Sequence, residues 1–195
     1  MNDRIRTDRR IIKTKKAIRN ALAELLSQKD IGEISIKDIA DRAEINRKTF
    51  YSYYRGVYEV IDEIENEIVS AFKEALREMD FKRDMHDPYG IFKKLTAIIN
   101  SDMDFYGHLM QINHNVSLVS KIIQTLKLDF KRSLSHQIDI DEKTLDLTVD
   151  YSVAGMVTVY QSWFNSGKAQ SFEEISKAVS VIAFSGINGL ISEGV

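Results

Sequence analysis

The apolar residues near the start of the chain recur three or four positions apart, as on one face of an amphipathic helix. They are Ile18, Ala21, Leu22, Leu25 and Leu26. This spacing predicts a first helix over about residues 9–28. Ser35 is followed three residues later by Asp38. That pairing is typical of a helix N-terminus and predicts a second, short helix.

The stretch INRKTFYSYYRG, residues 45–56, is predicted to contain a third helix. Residues 43–45 are interpreted as a turn. Asn46 is interpreted as the N-cap, with Thr49 three positions later. Two short helices joined by a turn of three or four residues form a helix-turn-helix, here over about residues 35–54.

The rest of the chain is also predicted to be helical, and no segment is typical of a strand. An apolar stripe predicts a long fourth helix over about residues 57–80. Five further helices are predicted over residues 88–100, 103–111, 116–136, 141–167 and 171–191. The sequence therefore predicts an all-α fold of about nine helices. In this fold a three-helix helix-turn-helix domain (residues 9–70) precedes a helical C-terminal domain (residues 71–195).

The last predicted helix is apolar on two faces, and such a helix must be covered on both. We expect one face to pack on its own chain and the other on a second subunit. The alternative is a fully interior helix in a monomer. The candidate dimer contacts are Val181, Phe184, Ile187 and Ile191.

Charge is distributed unevenly along the chain of 195 residues. Residues 1–55 hold 14 Lys/Arg against 8 Asp/Glu, whereas residues 56–195 hold 13 against 21. The N-terminal net charge of +6 and the C-terminal net charge of −8 sum to the overall −2. This asymmetry indicates that the N-terminal part meets a polyanion.

Other classes of function find little support in the residues. The chain has no cysteine, which excludes thiolate chemistry and disulfides. No apolar run approaches the roughly 20 residues that span a bilayer, and the N-terminus lacks the apolar core of a signal peptide. His108 and His114 do not have helical metal-ligand spacing. We expect a cytoplasmic protein that is not an enzyme and has no catalytic residue, metal or cofactor.

The helix-turn-helix explains why residues 45–56 mix cations with aromatic rings. The second helix of such a pair enters the major groove. Phe50 and Ile45 would hold this helix in place, while Arg47 and Lys48 would point toward bases. Arg47 could bind guanine O6 and N7 together.

Residues 12–60 resemble the DNA-binding domain of the TetR family of transcriptional regulators. The matching stretches are AIRNALAELL and ISIKDIADRAEINRKTFYSYYRG. The resemblance implies that Ser35 holds a phosphate and that Lys37 reaches toward a base. It also implies that Tyr51 and Tyr53 contact the DNA backbone. The full set of candidate DNA contacts is Ser35, Lys37, Asn46, Arg47, Lys48, Thr49, Tyr51, Tyr53 and Arg55.

Two positions depart from the family pattern. Val57 stands where the family usually has a lysine that grips a phosphate, which puts that contact in doubt. Glu44 stands at the small turn residue, and a left-handed backbone there would cost roughly 1–2 kcal/mol. The turn is therefore expected either to lack a left-handed residue or to be strained.

The resemblance further implies a C-terminal domain that binds an effector and dimerises through its last two helices. The segment YQSWFNSGKAQSFEEI, residues 160–175, resembles a branch of the family that includes regulators of dihydroxyacetone metabolism. Ordinary core packing is the alternative role for the aromatic and methionine residues of this domain. The candidate effector-lining residues are Met103, Tyr106, His108, Met110, Phe130, Tyr151, Met156, Tyr160 and Trp163.

These observations predict a homodimeric repressor that is released from a double-stranded DNA operator by a small-molecule effector. The alternative is a partner-dependent coregulator that keeps the fold but does not repress by itself. Val57 is the residue that favours this alternative.

Overall fold

The computed structural model describes residues 2–77, 88–111, 117–166 and 169–193, with side chains over residues 9–77, 89–90, 92–111, 119–166 and 169–185. Within these ranges the chain forms nine α-helices and one turn of 3₁₀ helix (Ile31–Glu33), and it contains no strand. The α-helices are α1 (Asn2–Leu26), α2 (Ile36–Arg42), α3 (Arg47–Tyr51), α4 (Val57–Arg77), α5 (Pro88–Asn100), α6 (Met103–Gln111), α7 (Ser117–Ser135), α8 (Glu142–Asn165) and α9 (Phe172–Glu193).

The all-α prediction is confirmed, and the bounds of α5 and α6 are those predicted. Where the described residues test them, the ends of α7, α8 and α9 lie within two residues of the prediction. The predicted end of α4 at residue 80 and the predicted start of α7 at residue 116 lie outside the described residues. The predicted start of α1 at residue 9 was wrong, because the helix already begins at Asn2. The segment before residue 9 has no glycine or proline, and its arginines are good helix formers.

One compact unit comprises Met1–Glu67 together with Asp104–Val119. Its core includes side chains that are at most 1% exposed, among them Ile18, Leu22, Ile39, Phe50 and Ile64. Each such burial contributes roughly 1.5–3 kcal/mol before entropic costs. These side chains come from α1, α2, α3 and α4, so each helix of the predicted helix-turn-helix domain is anchored in one core.

The second compact unit comprises Ile68–Met103 together with Ser120–Val195. Here α9 packs mainly against α5 and α8. The core cluster consists of Phe92, Phe130, Leu134, Leu145, Val149, Val179 and Phe184. The rings of Phe92 and Phe184 meet edge to face with 6.4 Å between their centroids.

The functional division at residue 70 stays a prediction, since the compact units describe packing and not activity. His114 lies outside the described residues, as does Gly167, the predicted end of α8. Among the described helices, none has both the length and the apolar character needed to cross a membrane.

Candidate nucleic-acid interface

The start of α2 is fixed by a reciprocal capping box. The Ser35 hydroxyl oxygen accepts a hydrogen bond from the Asp38 backbone N–H at 3.2 Å, and Asp38 Oδ2 accepts one from the Ser35 backbone N–H at 2.9 Å. The Ser35 hydroxyl donates to the same carboxylate oxygen at 2.9 Å, and Lys29 Nζ lies 3.0 Å from it. The backbone hydrogen bond from Ser35 and the hydrogen bond from Lys29 lower the pKa of Asp38 to about 2.

The sequence left open whether the turn after α2 contains a left-handed residue, and the structure shows that it does. Glu44 has a φ of 54°. Its N–H donates to the Asp41 carbonyl at 3.3 Å, and the Ile45 N–H donates to the Ala40 carbonyl at 2.9 Å. This pair of hydrogen bonds is a Schellman motif, which usually has glycine at the left-handed position. The turn is therefore the strained alternative.

Asn46 caps α3 as predicted. Its Oδ1 accepts hydrogen bonds from the Thr49 backbone N–H at 2.8 Å and from the Thr49 hydroxyl at 3.1 Å. Phe50 is fully buried, and its ring lies 5.7 Å from the ring of Tyr54, which is 3% exposed. These two aromatic anchors fix how α3 sits on its own unit.

The outer side of α2 and α3 carries most of the candidate DNA contacts. Thr49 and Tyr53 are half-buried. The other candidates are exposed, namely Ser35, Lys37, Asn46, Arg47, Lys48, Tyr51 and Arg55. Tyr51 is 58% exposed, although its ring touches that of Phe50 edge to face. Four exposed cations beside an exposed tyrosine form a surface suited to phosphates and base edges.

The start of α4 offers no cation from position 57. Val57 begins the helix, and the Glu59 carboxylate accepts a hydrogen bond from the Arg55 backbone N–H at 2.6 Å. Position 57 therefore lacks the lysine that grips a phosphate in the family, and an acidic side chain already occupies this helix start.

Two ion pairs join α1 and α4, and neither was predicted from the sequence. Lys15 Nζ lies 2.7 Å from Glu63 Oε2, and Arg19 Nη1 lies 2.7 Å from Glu67 Oε2. They border a groove of about 200 Å³ that is also lined by Tyr54. The signal that could have found the pairs is the matching four-residue spacing on the two helices.

The effector-lining candidates are divided between the two compact units. Tyr106, His108 and Met110 belong to the first unit. Met103, Phe130, Tyr151, Met156, Tyr160 and Trp163 belong to the second. Their role as effector contacts stays a prediction.

Two of these candidates lie in an aromatic cluster at the junction of α8 and α9. The rings of Tyr160 and Trp163 lie 5.2 Å and 5.0 Å from that of Phe172. Trp163 Nε1 donates to the Gln170 carbonyl at 2.9 Å, and burial raises the pKa of Tyr160. Phe130 belongs to the core cluster and Met156 packs against it. Tyr151, in contrast, is 74% exposed.

The dimer candidates also differ in their surroundings. Val181 is 57% exposed, whereas Phe184 is buried in its own chain against Phe92. The side chains of Ile187 and Ile191 lie outside the described residues. The sequence did not predict an exposed apolar row on α8, which consists of Leu147, Tyr151 and Val159. Its signal is the spacing by multiples of four residues, which places the three on one helix face.

Two family models match the chain. The model described as the C-terminal region of transcriptional regulators matches residues 86–185, just over half of the chain. The model described as bacterial regulatory proteins of the tetR family matches residues 18–64. The chain belongs to the TetR family. This TetR-family protein is therefore a DNA-binding transcriptional regulator, as the sequence predicted.

Individual relatives agree with this assignment. The chain is 24% identical over 169 residues to YxbF of Bacillus subtilis (strain 168), an uncharacterized HTH-type transcriptional regulator. The match covers 83% of this chain, and the chain spans 42% of that relative's length.

Solved structures share the fold. A tetR-family regulator from Streptomyces coelicolor matches with a TM-score of 0.64 and 14% identity, over 93% of this chain and 83% of that one. The dihydroxyacetone kinase operon activator DhaS matches with a TM-score of 0.54 and 18% identity, over 90% and 96% of the two chains. These identities establish the fold alone, so membership of the dihydroxyacetone branch stays a prediction.

Proposed function

We propose that this TetR-family regulator is a homodimeric repressor that binds its operator through α3 and leaves it when a small molecule binds. The observation that carries the proposal is the outward position of Arg47 and Lys48. They are exposed on a helix whose Phe50 is fully buried. A rigidly anchored cationic helix suits the major groove, where recognition helices place their N-terminal residues against base edges.

Dimerisation is supported by apolar rows on the last two helices. Leu147 and Tyr151 on α8 are 72% and 74% exposed, and Val181 and Ile182 on α9 are 57% and 63% exposed. Contiguous exposed apolar side chains mark interaction surfaces. A second copy of the chain would cover them and would set two α3 helices about 34–36 Å apart, the spacing of successive major grooves.

Release by an effector follows if the effector prefers a conformation that cannot bind DNA. Helix α4 is the element through which such a change would reach α1, because Glu63 and Glu67 hold Lys15 and Arg19. A polar effector group has one candidate partner in His108, whose buried Nδ1 lacks a hydrogen bond among the described residues. An unmet buried nitrogen is costly and gains from any new partner.

A partner-dependent coregulator is the second candidate function. It is favoured by the start of α4, where Val57 supplies no cation and Glu59 adds a negative charge beside Arg55. The loss of one phosphate contact weakens the salt-dependent part of DNA binding. In this case a second protein would supply the missing affinity.

The two functions separate in a gel-shift experiment on the purified protein with duplex DNA that flanks its own gene, at low and moderate salt. A specific band that survives moderate salt and competition by unrelated DNA supports the autonomous regulator. Binding that disappears with the added salt supports the coregulator. Deletion of the gene then gives the sign of regulation, because transcripts from the bound promoter rise if the protein is a repressor and fall if it is an activator.

A further inference from the structure

The amide oxygen of Asn46 is fully used inside the protein. A carbonyl oxygen has two lone pairs, and Oδ1 accepts from both the N–H and the hydroxyl of Thr49. Only the NH₂ group of Asn46 remains for DNA. Bidentate reading of adenine by asparagine needs an oxygen for N6–H₂ and an NH₂ for N7. Asn46 therefore cannot read adenine in this way while it caps α3.

The Thr49 hydroxyl is committed as well. A hydroxyl has a single hydrogen, and that of Thr49 is donated to Asn46 Oδ1 at 3.1 Å. Toward a base, Thr49 keeps a lone pair and its methyl group. The lone pair can accept from the amino group of either cytosine or adenine, so it does not choose between G·C and A·T base pairs.

The donor groups of Ser35, at the start of α2, are likewise already used within the protein. Its hydroxyl hydrogen goes to Asp38 Oδ2 at 2.9 Å, and its backbone N–H goes to the same oxygen. Neither group remains to donate to a phosphate. The exposed ammonium of Lys37 is the candidate donor of α2 that has no partner among the described residues.

The first turn of α3 is left with donors only, apart from the Thr49 lone pair. They are the guanidinium of Arg47, the ammonium of Lys48 and the NH₂ group of Asn46. Guanine presents two acceptors, O6 and N7, in the major groove. Adenine presents one acceptor, N7, beside a donor, N6–H₂. A guanidinium therefore gains two hydrogen bonds from guanine and meets a repulsive N–H group on adenine.

Resting on the proposed operator-binding function, we propose that this regulator reads guanine in each operator half-site, through Arg47, and does not use Asn46 to read adenine. The capping hydrogen bonds within the protein set this preference, because they remove the acceptor that adenine requires. Ser35 and Thr49 then act as positioning residues for α2 and α3 and not as hydrogen-bond donors to DNA.

The test begins with selection of binding sites from a random duplex library by the full-length protein. The enriched half-site is then synthesised with 7-deazaguanine or 7-deazaadenine, in which a C–H group replaces N7. We expect guanine at a position protected by α3 and about a tenfold loss of affinity with 7-deazaguanine there. Replacement of adenines in the same half-site is expected to change the affinity less than twofold.

Two variants assign the contact. Arg47→Ala is expected to abolish the sensitivity to 7-deazaguanine. Asn46→Ser keeps a good N-cap but removes the amide, and it is expected to leave the preferred base unchanged. The inference would be overturned if the enriched half-site consists of A·T pairs, if 7-deazaadenine weakens binding to it, and if Asn46→Ser abolishes that effect. The proposed function would then remain intact. If no duplex is enriched, the proposed function itself is overturned, and the inference with it.

Discussion

The guanidinium of Arg19 in α1 lies 4.1 Å from the ring centroid of Phe105 in α6, while its Nη1 lies 2.7 Å from Glu67 in α4. One side chain thus joins three helices of the first compact unit. Phe105 is 1% exposed, so the guanidinium closes one side of a buried ring. This arrangement explains how α6 can belong to the unit that carries α2 and α3.

Replacement of Arg19 by lysine should destabilise the protein by about 1 kcal/mol, because an ammonium keeps a charge for Glu67 but loses most of the stacking on Phe105. Arg19→Ala should cost about 2 kcal/mol, because the ring is also uncovered. Urea denaturation followed by circular dichroism measures both values. Equal stability of wild type and Arg19→Ala would show that the contact does not hold α6.

Glu44→Gly should stabilise the protein by about 1 kcal/mol, since glycine adopts a positive φ without the steric cost of a Cβ. Glu44→Ala is the matched control. It removes the same carboxylate but keeps the Cβ, and it should stay within about 0.5 kcal/mol of wild type. Thermal unfolding of the three proteins checks this. A stabilisation that is equal in both variants would point to the charge and not to the backbone.

The capping box of α2 should weaken in acid. The folded-state pKa of Asp38 is about 2 against an ordinary 3.8. A lowered folded-state pKa gives a stabilisation that is fully present above the unfolded-state pKa and is lost as the pH falls through the folded-state one. Asp38→Asn should therefore be less stable than wild type at pH 6, and the gap should close between about pH 4 and pH 2.

Measured melting temperatures of wild type and Asp38→Asn across this range decide the point. Asp41→Asn serves as the control, because Asp41 is exposed and no described side chain pairs with it. A gap that stays constant from pH 6 to pH 2 would contradict the role of the Asp38 charge.

Charge introduced into the apolar rows of α8 and α9 should separate the subunits. Leu147→Asp combined with Val181→Asp is expected to give a folded monomer in sedimentation equilibrium, because each buried carboxylate would lack a partner in the interface. Leu128→Asp on α7 is the matched control, since Leu128 is 63% exposed and is expected to lie outside the interface. If the double variant remains dimeric, the surface lies elsewhere.

The helix-turn-helix could be predicted from the sequence because its determinants are local. Asn46 and Thr49 are three residues apart, and their hydrogen bond forms within one turn of chain. The same holds for Ser35 and Asp38. Capping depends on residues that are near in sequence, so pattern alone indicates where α2 and α3 begin.

Long-range pairing could not be predicted in this way. Tyr151 and Trp163 are both aromatic residues of α8, yet one is 74% exposed and the other 7%. Helix α8 is apolar on more than one side, and periodicity does not tell which side meets its own core. In the same way, nothing within α1 indicates that Arg19 will face Phe105, because that contact depends on how separate helices pack.

The central claim, that α3 reads DNA, is tested most directly by fluorescence anisotropy with the selected operator and with a scrambled duplex. Arg47→Ala should lose at least about tenfold in operator affinity and only about twofold on the scrambled DNA, because base contacts carry specificity and phosphate contacts do not. Arg77→Ala removes another exposed guanidinium, at the far end of α4 and roughly 30 Å along the helix from Val57. This variant should bind both duplexes as wild type does. The account would be contradicted if Arg47→Ala, as a folded dimer, bound the operator with the same affinity as Arg77→Ala.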